Sequence, residues 1–144
     1  MKIGIASDHR GFKLKELIKE NLDYDFIDYG TNSEESTDYP IYAFKLGEAV
    51  VNKEVEYGVA ICGSGIGISI ACNKVKGIRC AKVSNTEEAK YTRNDNNSNI
   101  VAFGENTPLE EALNIVKIFV ETPSSTEEKH QRRVNEIIEY EDNN

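Results

Sequence analysis

Short apolar stretches alternate with amphipathic ones five times along this chain, and that alternation restricts the fold more than any other feature. Lys2 to Ser7 reads as a buried strand, followed by Asp8-His9-Arg10-Gly11 and a stretch in which Phe12, Leu14, Leu17, Ile18 and Leu22 recur near helical spacing. A second strand is predicted over Asp25 to Tyr29, closed by Gly30, and residues 31–40 read as a polar loop. A second helix follows over Tyr42 to Val51, with Ala43, Leu46, Ala49 and Val50 facing inward. The third unit is a strand at 57–62, a glycine loop and a helix to about Lys74. The fourth is Ile78 to Val83 with a helix from about Thr86, for which Ser84, Asn85 or Thr86 is the cap. Asn99 to Phe103 is a fifth strand ending at Gly104, Pro108 opens a helix to about Val120, and a last helix is predicted from about Ser125 to Tyr140.

Strands rich in Ile, Val and Ala, each followed by a helix, need cover on both faces of the sheet they form. The fold class expected is α/β: a Rossmann-like three-layer α/β/α sandwich with a five-stranded parallel sheet and an extended C-terminal helix. Ligands of such sheets sit outside the carboxyl ends of the strands. Those ends carry Asp8-His9, Cys62-Gly63-Ser64 and the loop after Val83, so the functional candidates are expected to cluster on one edge.

At 144 residues the chain fits a single domain, 1–144, with an acidic, Asn-rich tail at 141–144 expected to fray. Seventeen Lys and Arg against 25 Asp and Glu leave a formal charge of −8. That balance argues against nucleic acid or an anionic membrane as partner and leaves small anions as ligands. No apolar run approaches bilayer length and MKIGIAS lacks a signal pattern, so a cytoplasmic protein is expected. Cys62, Cys72 and Cys80 form neither a CxxC pair nor a metal spacing and are expected as free thiols. The two histidines stand far apart, and no metal is expected.

In Val59-Ala-Ile-Cys-Gly-Ser-Gly-Ile-Gly an apolar run ends in a cysteine and passes into glycines at 63, 65 and 67. Such a loop turns tightly and brings backbone N–H groups close to an anion at the start of the next helix. The same field favours the thiolate of Cys62. The loop is not G-x-G-x-x-G, Gly67 is followed by Ile68 and not by Lys, and no arginine stands six positions after the thiol. NAD binding, ATP hydrolysis and phosphocysteine chemistry are therefore disfavoured. Cys72 and Cys80 read as core. His9 is a ligand candidate beside Asp8, whereas His130 reads as a surface residue. Lys129, Arg132 and Arg133 read either as a solvated helix face or as the one place dense enough in positive charge to hold a phosphate.

The stretches KIGIASDHRGFKLK, IDYGTNSEESTDYP, AICGSGIGISIACNKVKGIRCA, TRNDNNSNIVAFG and KHQRRV resemble the ribose-5-phosphate isomerase B family, which includes the galactose-6-phosphate isomerase subunits. The resemblance implies aldose-ketose isomerisation through an enediolate, without a cofactor, with Cys62 matching the thiol that moves the proton. Asp8, His9 and the loop Gly63, Ser64, Gly65, Ile66 and Gly67 match substrate-binding positions, with Ser64 and the loop N–H groups holding the developing oxyanion. Asn96 matches a binding asparagine and Arg133 a phosphate-binding arginine. Three positions depart from the family: Asp95 stands where the ring-opening histidine is usual, Asn106 where an arginine is frequent, and Lys129 where an arginine contacts phosphate. The resemblance implies a homodimer or tetramer with the site between subunits. Its favoured substrate pair is ribose 5-phosphate and ribulose 5-phosphate. The alternatives are a six-carbon phosphosugar, allose or galactose 6-phosphate, and a non-catalytic phosphosugar-binding protein.

Overall fold

Every strand is short and each is followed by a helix that returns the chain to the same end of the sheet, so all four strand pairings are parallel. The computed structural model describes residues 1–144. The strands are β1 (Lys2–Ser7), β2 (Asp25–Asp28), β3 (Tyr57–Cys62), β4 (Cys80–Lys82) and β5 (Ile100–Gly104), in the order β2-β1-β3-β5-β4. The helices are α1 (Phe12–Asn21), α2 (Tyr39–Val51), α3 (Ile66–Cys72), α4 (Thr86–Asn96), α5 (Leu109–Glu121) and α6 (Glu128–Asp142). This is the α/β sandwich with five parallel strands that the alternation predicts.

The two faces of the sheet are built from different side chains. Ile3, Ile5, Val59, Ile61, Val101 and Phe103 point to one face and pack with Leu14 and Ile18 of α1 and Ile115, Val116 and Phe119 of α5. The other face is nearly stripped of bulk: Ala6, Ala60 and Ala102 meet Ala43 and Leu46 of α2 and Ile68 and Cys72 of α3. Small strand residues let α2 and α3 lie close to the backbone, which places Cys62 at the end of a tightly covered strand.

Element ends differ from the sequence expectation for local reasons. Helix α2 begins at Tyr39 because Pro40 suits a first helical turn. Helix α3 stops at Cys72, where the Asn73 side chain bonds both the N–H and the carbonyl of Cys80. That clamp and the edge position leave β4 with three residues. Asn85 is the cap of α4, its side chain accepting from the Glu88 N–H at 2.9 Å. Helix α6 starts only at Glu128, and it continues through Asp142 into the tail expected to fray, because the Glu141 carboxylate accepts from the Gly77 N–H at 2.8 Å.

One buried charge ties α1 to the end of β2. The Lys15 side chain is 0% exposed and its Nζ bonds Asp28 at 2.5 Å and Glu16 at 2.9 Å, while Lys19 bonds Asp28 at 2.8 Å. Burial is the largest single influence on Asp28 and opposes its ionisation. Hydrogen bonds from Lys15, Lys19 and the Gly30 N–H outweigh it and hold the carboxyl below its ordinary 3.8. Without the Asp28 charge Lys15 would keep only Glu16 as its carboxylate partner, so Asp28→Asn is expected to destabilise the fold by roughly 1–3 kcal/mol at pH 7. A carboxyl depressed in the folded state stabilises above its unfolded pKa and loses that contribution as pH falls through the folded value. Urea unfolding of wild type and variant should therefore show the gap at neutral pH narrowing below about pH 4. A gap constant down to pH 2 would remove Asp28 as the source.

Candidate active site

The chain leaves β1 for β2 on one side and reaches β3 on the other, so a crevice opens between the carboxyl ends of β1 and β3. A cavity of about 560 Å3 lies there, lined by Asp8, His9 and Arg10 after β1, Thr37, Asp38 and Tyr39 at the start of α2, and Cys62, Gly63, Ser64 and Gly67 after β3. Asp8 is buried and shapes the first loop, its Oδ1 accepting from the N–H groups of Arg10 at 3.0 Å and Gly11 at 3.1 Å. The His9 Nδ1 lies 3.2 Å from both the N and the O of Thr37. Whichever tautomer forms, Nδ1 is engaged by that loop and Nε2 is the nitrogen left for the cavity.

Cys62 is 4% exposed and its Sγ accepts the Gly65 N–H at 3.2 Å. Gly65 can deliver that N–H because its φ is +81° and its missing side chain lets it touch β5: a Cβ there would sit 2.6 Å from the Phe103 carbonyl carbon. A Cβ on Gly67 would meet the Tyr39 ring at 2.7 Å. Ser64 is exposed and its Oγ accepts from the Ile66 N–H at 3.1 Å. The N–H groups of Gly63 and Ser64 donate to no atom of the chain, so two backbone donors remain beside the thiol. Ile66 is exposed on the first turn of α3. The other thiols are differently placed. Cys72 is buried, and Cys80, half-buried in β4, is pushed well above the ordinary thiol range by its hydrogen bond with Cys72 and by burial.

Asn106 is exposed and lines a neighbouring cavity of about 430 Å3 that shares Gly63 and Ser64 and adds Lys82 and Ser84. Arg10, paired with Glu105, and Lys82, bonded to the Ser84 hydroxyl at 3.0 Å, bring positive charge to this edge. Neither was singled out from sequence, although Arg10 directly follows Asp8-His9. Tyr39 and Thr37 were missed as well, since the 31–40 segment offered only a polar loop.

Asp8-His9, Cys62-Gly63-Ser64 and the loop after Val83 thus share one edge as expected, while the remaining candidates, which the resemblance supplies, lie elsewhere. Helix α4 starts at the carboxyl edge after β4 and ends at the amino edge before β5, so Asp95 and Asn96 stand at the opposite end of the sheet from Cys62. Arg93 fixes that end of α4: it is buried, bonds Tyr57 Oη, Thr122 O, Asn97 Oδ1 and Ser98 O, and stacks over the Tyr57 ring at 4.7 Å. Asp95 lines a cavity of about 220 Å3 with His130, Ser125 and Asn94. The His130 side chain is 15% exposed and not a surface residue. Asn96, Lys129 and Arg133 are exposed, and neither cation pairs with a carboxylate, whereas Arg132 is paired with Glu128. No three His, Cys, Asp or Glu side chains converge as metal ligands, and no helix is long and apolar enough to cross a membrane.

A thiol, a carboxylate and an imidazole converging on free backbone donors at the switch point of a parallel sheet define an α/β enzyme for small polar substrates. The profile of the family described as Ribose/Galactose Isomerase matches residues 3–137. YwlF of Bacillus subtilis, described as a candidate sugar phosphate isomerase with no sugar specified, is 46% identical over 100% of this chain and 99% of its own length. Ribose-5-phosphate isomerase B of Escherichia coli is 40% identical, covering 97% of this chain and 96% of that one. The structure of ribose-5-phosphate isomerase B from Clostridium thermocellum superposes with a TM-score of 0.95 at 44% identity, over 99% of both chains. The chain belongs to the ribose/galactose isomerase family and is an enzyme of the aldose-ketose sugar-phosphate isomerase class.

The steric contrast within the loop gives a direct test of its geometry. Gly65→Ala is expected to lower stability by roughly 1–3 kcal/mol through strain at positive φ and the Phe103 clash, and to impair turnover. Gly63→Ala, whose Cβ would meet Arg10 Cζ at an ordinary 3.5 Å, should unfold close to wild type. Urea denaturation of both variants checks the ranking, and equal stability would remove the close approach as the reason for glycine at 65.

Proposed function

We propose that this enzyme interconverts ribose 5-phosphate and ribulose 5-phosphate through an enediolate, with Cys62 as the base. The observation that carries the reading is the Cys62 sulfur facing a cavity beside two unspent backbone donors. The thiolate takes the proton from carbon 2 of the open aldose and returns it to carbon 1. Between the two transfers the negative oxygens rest against the Gly63 and Ser64 N–H groups and the Ser64 hydroxyl, donors fixed in place before reaction. The Gly65 N–H on sulfur fixes the position of the Cys62 side chain beside the two free donors. Asp8 and the His9 Nε2 hold sugar hydroxyls from the opposite wall, and Asn106 contacts the substrate from the neighbouring cavity.

The site is completed by a second copy of the chain. Lys129 and Arg133 are free cations on an acidic protein, suited to a phosphate, yet Asp95, Asn96 and α6 lie at the amino edge. Ile66 and Ile70 on α3 and Ile137 and Tyr140 on α6 leave apolar surface exposed that association would cover. In a two-fold dimer the amino edge of each protomer meets the carboxyl edge of its partner, and two equivalent sites close at once. The pentose phosphate reading, as distinct from the shared site, is supported by the Mycoplasma genitalium ribose-5-phosphate isomerase B, 35% identical and solved with bound ribulose-5-phosphate, whose fold matches with a TM-score of 0.91.

Cys62→Ala should abolish isomerisation in both directions while the fold persists, since only a small side chain is lost. A variant with wild-type turnover would remove Cys62 as the base. A panel of five- and six-carbon phosphosugars, followed by aldose loss and ketose gain, checks the substrate; preference for allose or galactose 6-phosphate would replace the pentose reading. Complementation checks the shared site. Cys62→Ala and Arg133→Ala homodimers should each be impaired, while refolding them together yields heterodimers with one intact site and about a quarter of wild-type activity. No recovery on mixing would place both residues in one protomer's site.

A further inference from the structure

We propose that His130, oriented by Asp95 and Ser125, is the acid-base group that opens the sugar ring; this rests on the pentose phosphate reading and the shared site above. Ribose 5-phosphate exists as a furanose closed by a bond between C1 and O4, and its C2 proton becomes acidic only once C1 is an aldehyde. Ribulose 5-phosphate has its O5 blocked by phosphate and stays open. The aldose direction therefore needs a proton donor for O4, a task the ketose direction does not share. Near neutral pH an imidazole both gives and takes protons, and the chain has two. His9 sits beside the thiol with Nδ1 engaged by Thr37.

His130 has the geometry of a positioned catalyst. Its Nδ1 lies 2.8 Å from Ser125 Oγ and 3.2 Å from the Glu127 carboxylate, so that nitrogen is occupied. Its Nε2 lies 3.7 Å from Asp95 Oδ1, near enough to feel the carboxylate yet not tied up by it, inside the cavity both residues line. Arg133 follows three residues later on α6, exposed and one turn along from His130 beside the cavity. An imidazole and a phosphate-binding cation at that spacing fit the ring oxygen and the 5-phosphate of one sugar. Asp95 faces the imidazole across the cavity and can hold a charged ring in place. In the position where the resembling family has histidine, this chain thus has the partner of a histidine that α6 supplies.

The step balances without a co-reactant. Protonated Nε2 gives its proton to O4 as the C1–O4 bond breaks, the C1 hydroxyl becomes the aldehyde, and its proton returns to Nε2 directly or through one water. Cys62 then acts on C2.

The two directions of the reaction separate this role from a structural one. His130→Asn keeps a donor for Ser125 but cannot cycle the proton. Its turnover of ribose 5-phosphate is expected to fall about 100-fold or more, and its rate should stop rising with enzyme concentration as uncatalysed ring opening takes over. Its initial rate of ribulose 5-phosphate consumption should stay within a few-fold of wild type, because the free aldehyde closes in solution. Cys62→Ala should lose both directions, which separates the ring step from proton transfer at carbon. Equal losses in both directions for His130→Asn and His130→Gln, or no loss in either, would overturn the assignment. A wild-type enzyme inert toward both pentose phosphates would overturn the substrate reading, and this inference with it.

Discussion

The carboxyl edge of this fold depends on one close approach, that of the Gly65 backbone to β5. Strands β3 and β5 pair with Cys62 opposite Gly104, and Gly65 packs onto the Phe103 backbone at a distance no side chain tolerates. That contact turns the chain back so that the Gly65 N–H meets the Cys62 sulfur, while the Gly63 and Ser64 N–H groups are left pointing at the crevice. With any residue of ordinary size at 65 the loop would stand away from β5, and thiol and donors would lose their common geometry. The bulk-free sheet face beneath it serves the same end, since Ala60 and Ala102 allow α3 to approach the strands that carry the loop.

Topology then divides the chemistry. In a parallel sheet every loop after a strand opens on one edge and every loop after a helix opens on the other. Cys62 belongs to the first kind of loop, while Asp95 and His130 belong to the ends of helices at the second. No side-chain rearrangement within one chain brings those ends together. A protein that uses both must bring its edges together by association, and the proposed dimer is the smallest closed assembly that does so. Arg93 matters in this respect as a structural group. Four hydrogen bonds and an aromatic face compensate its burial and fix the end of α4 that carries Asp95.

The fold was legible because its signals are local and periodic. Apolar strands ending at Ser7 and Cys62, Pro108 before α5 and a cap for α4 among residues 84–86 each declare themselves within a few residues. The half of the site next to Cys62 was legible for the same reason, since one glycine loop carries both thiol and donors. What stayed hidden depends on distant partners. Glu141 keeps the tail helical through a bond to Gly77, 64 residues away in sequence. Asn73 shortens β4 by bonding Cys80. Thr37 and Tyr39 enter the cavity only because α2 packs beside β1, and nothing in a polar loop announces that.

His130 is the clearest case of the same limit, and it bears on how the reaction is divided. Read along the chain, a histidine among Lys, Gln and Arg on a polar helix looks solvated. Placed in the fold, that helix crosses the end of α4, and the imidazole turns into a cavity against Asp95. The two proton transfers of the proposed reaction make different demands. Removing a proton from carbon calls for a base poised beside an oxyanion site, the part proposed for the buried thiol and its backbone donors. Moving a proton between two oxygens calls for a group that is equally ready to give and to take, the part proposed for His130 in its polar cavity. Neither environment suits the other task. On the proposed reading the two groups stand on opposite edges of one sheet, so each has its own surroundings, and the proposed association of two chains is the step that joins them.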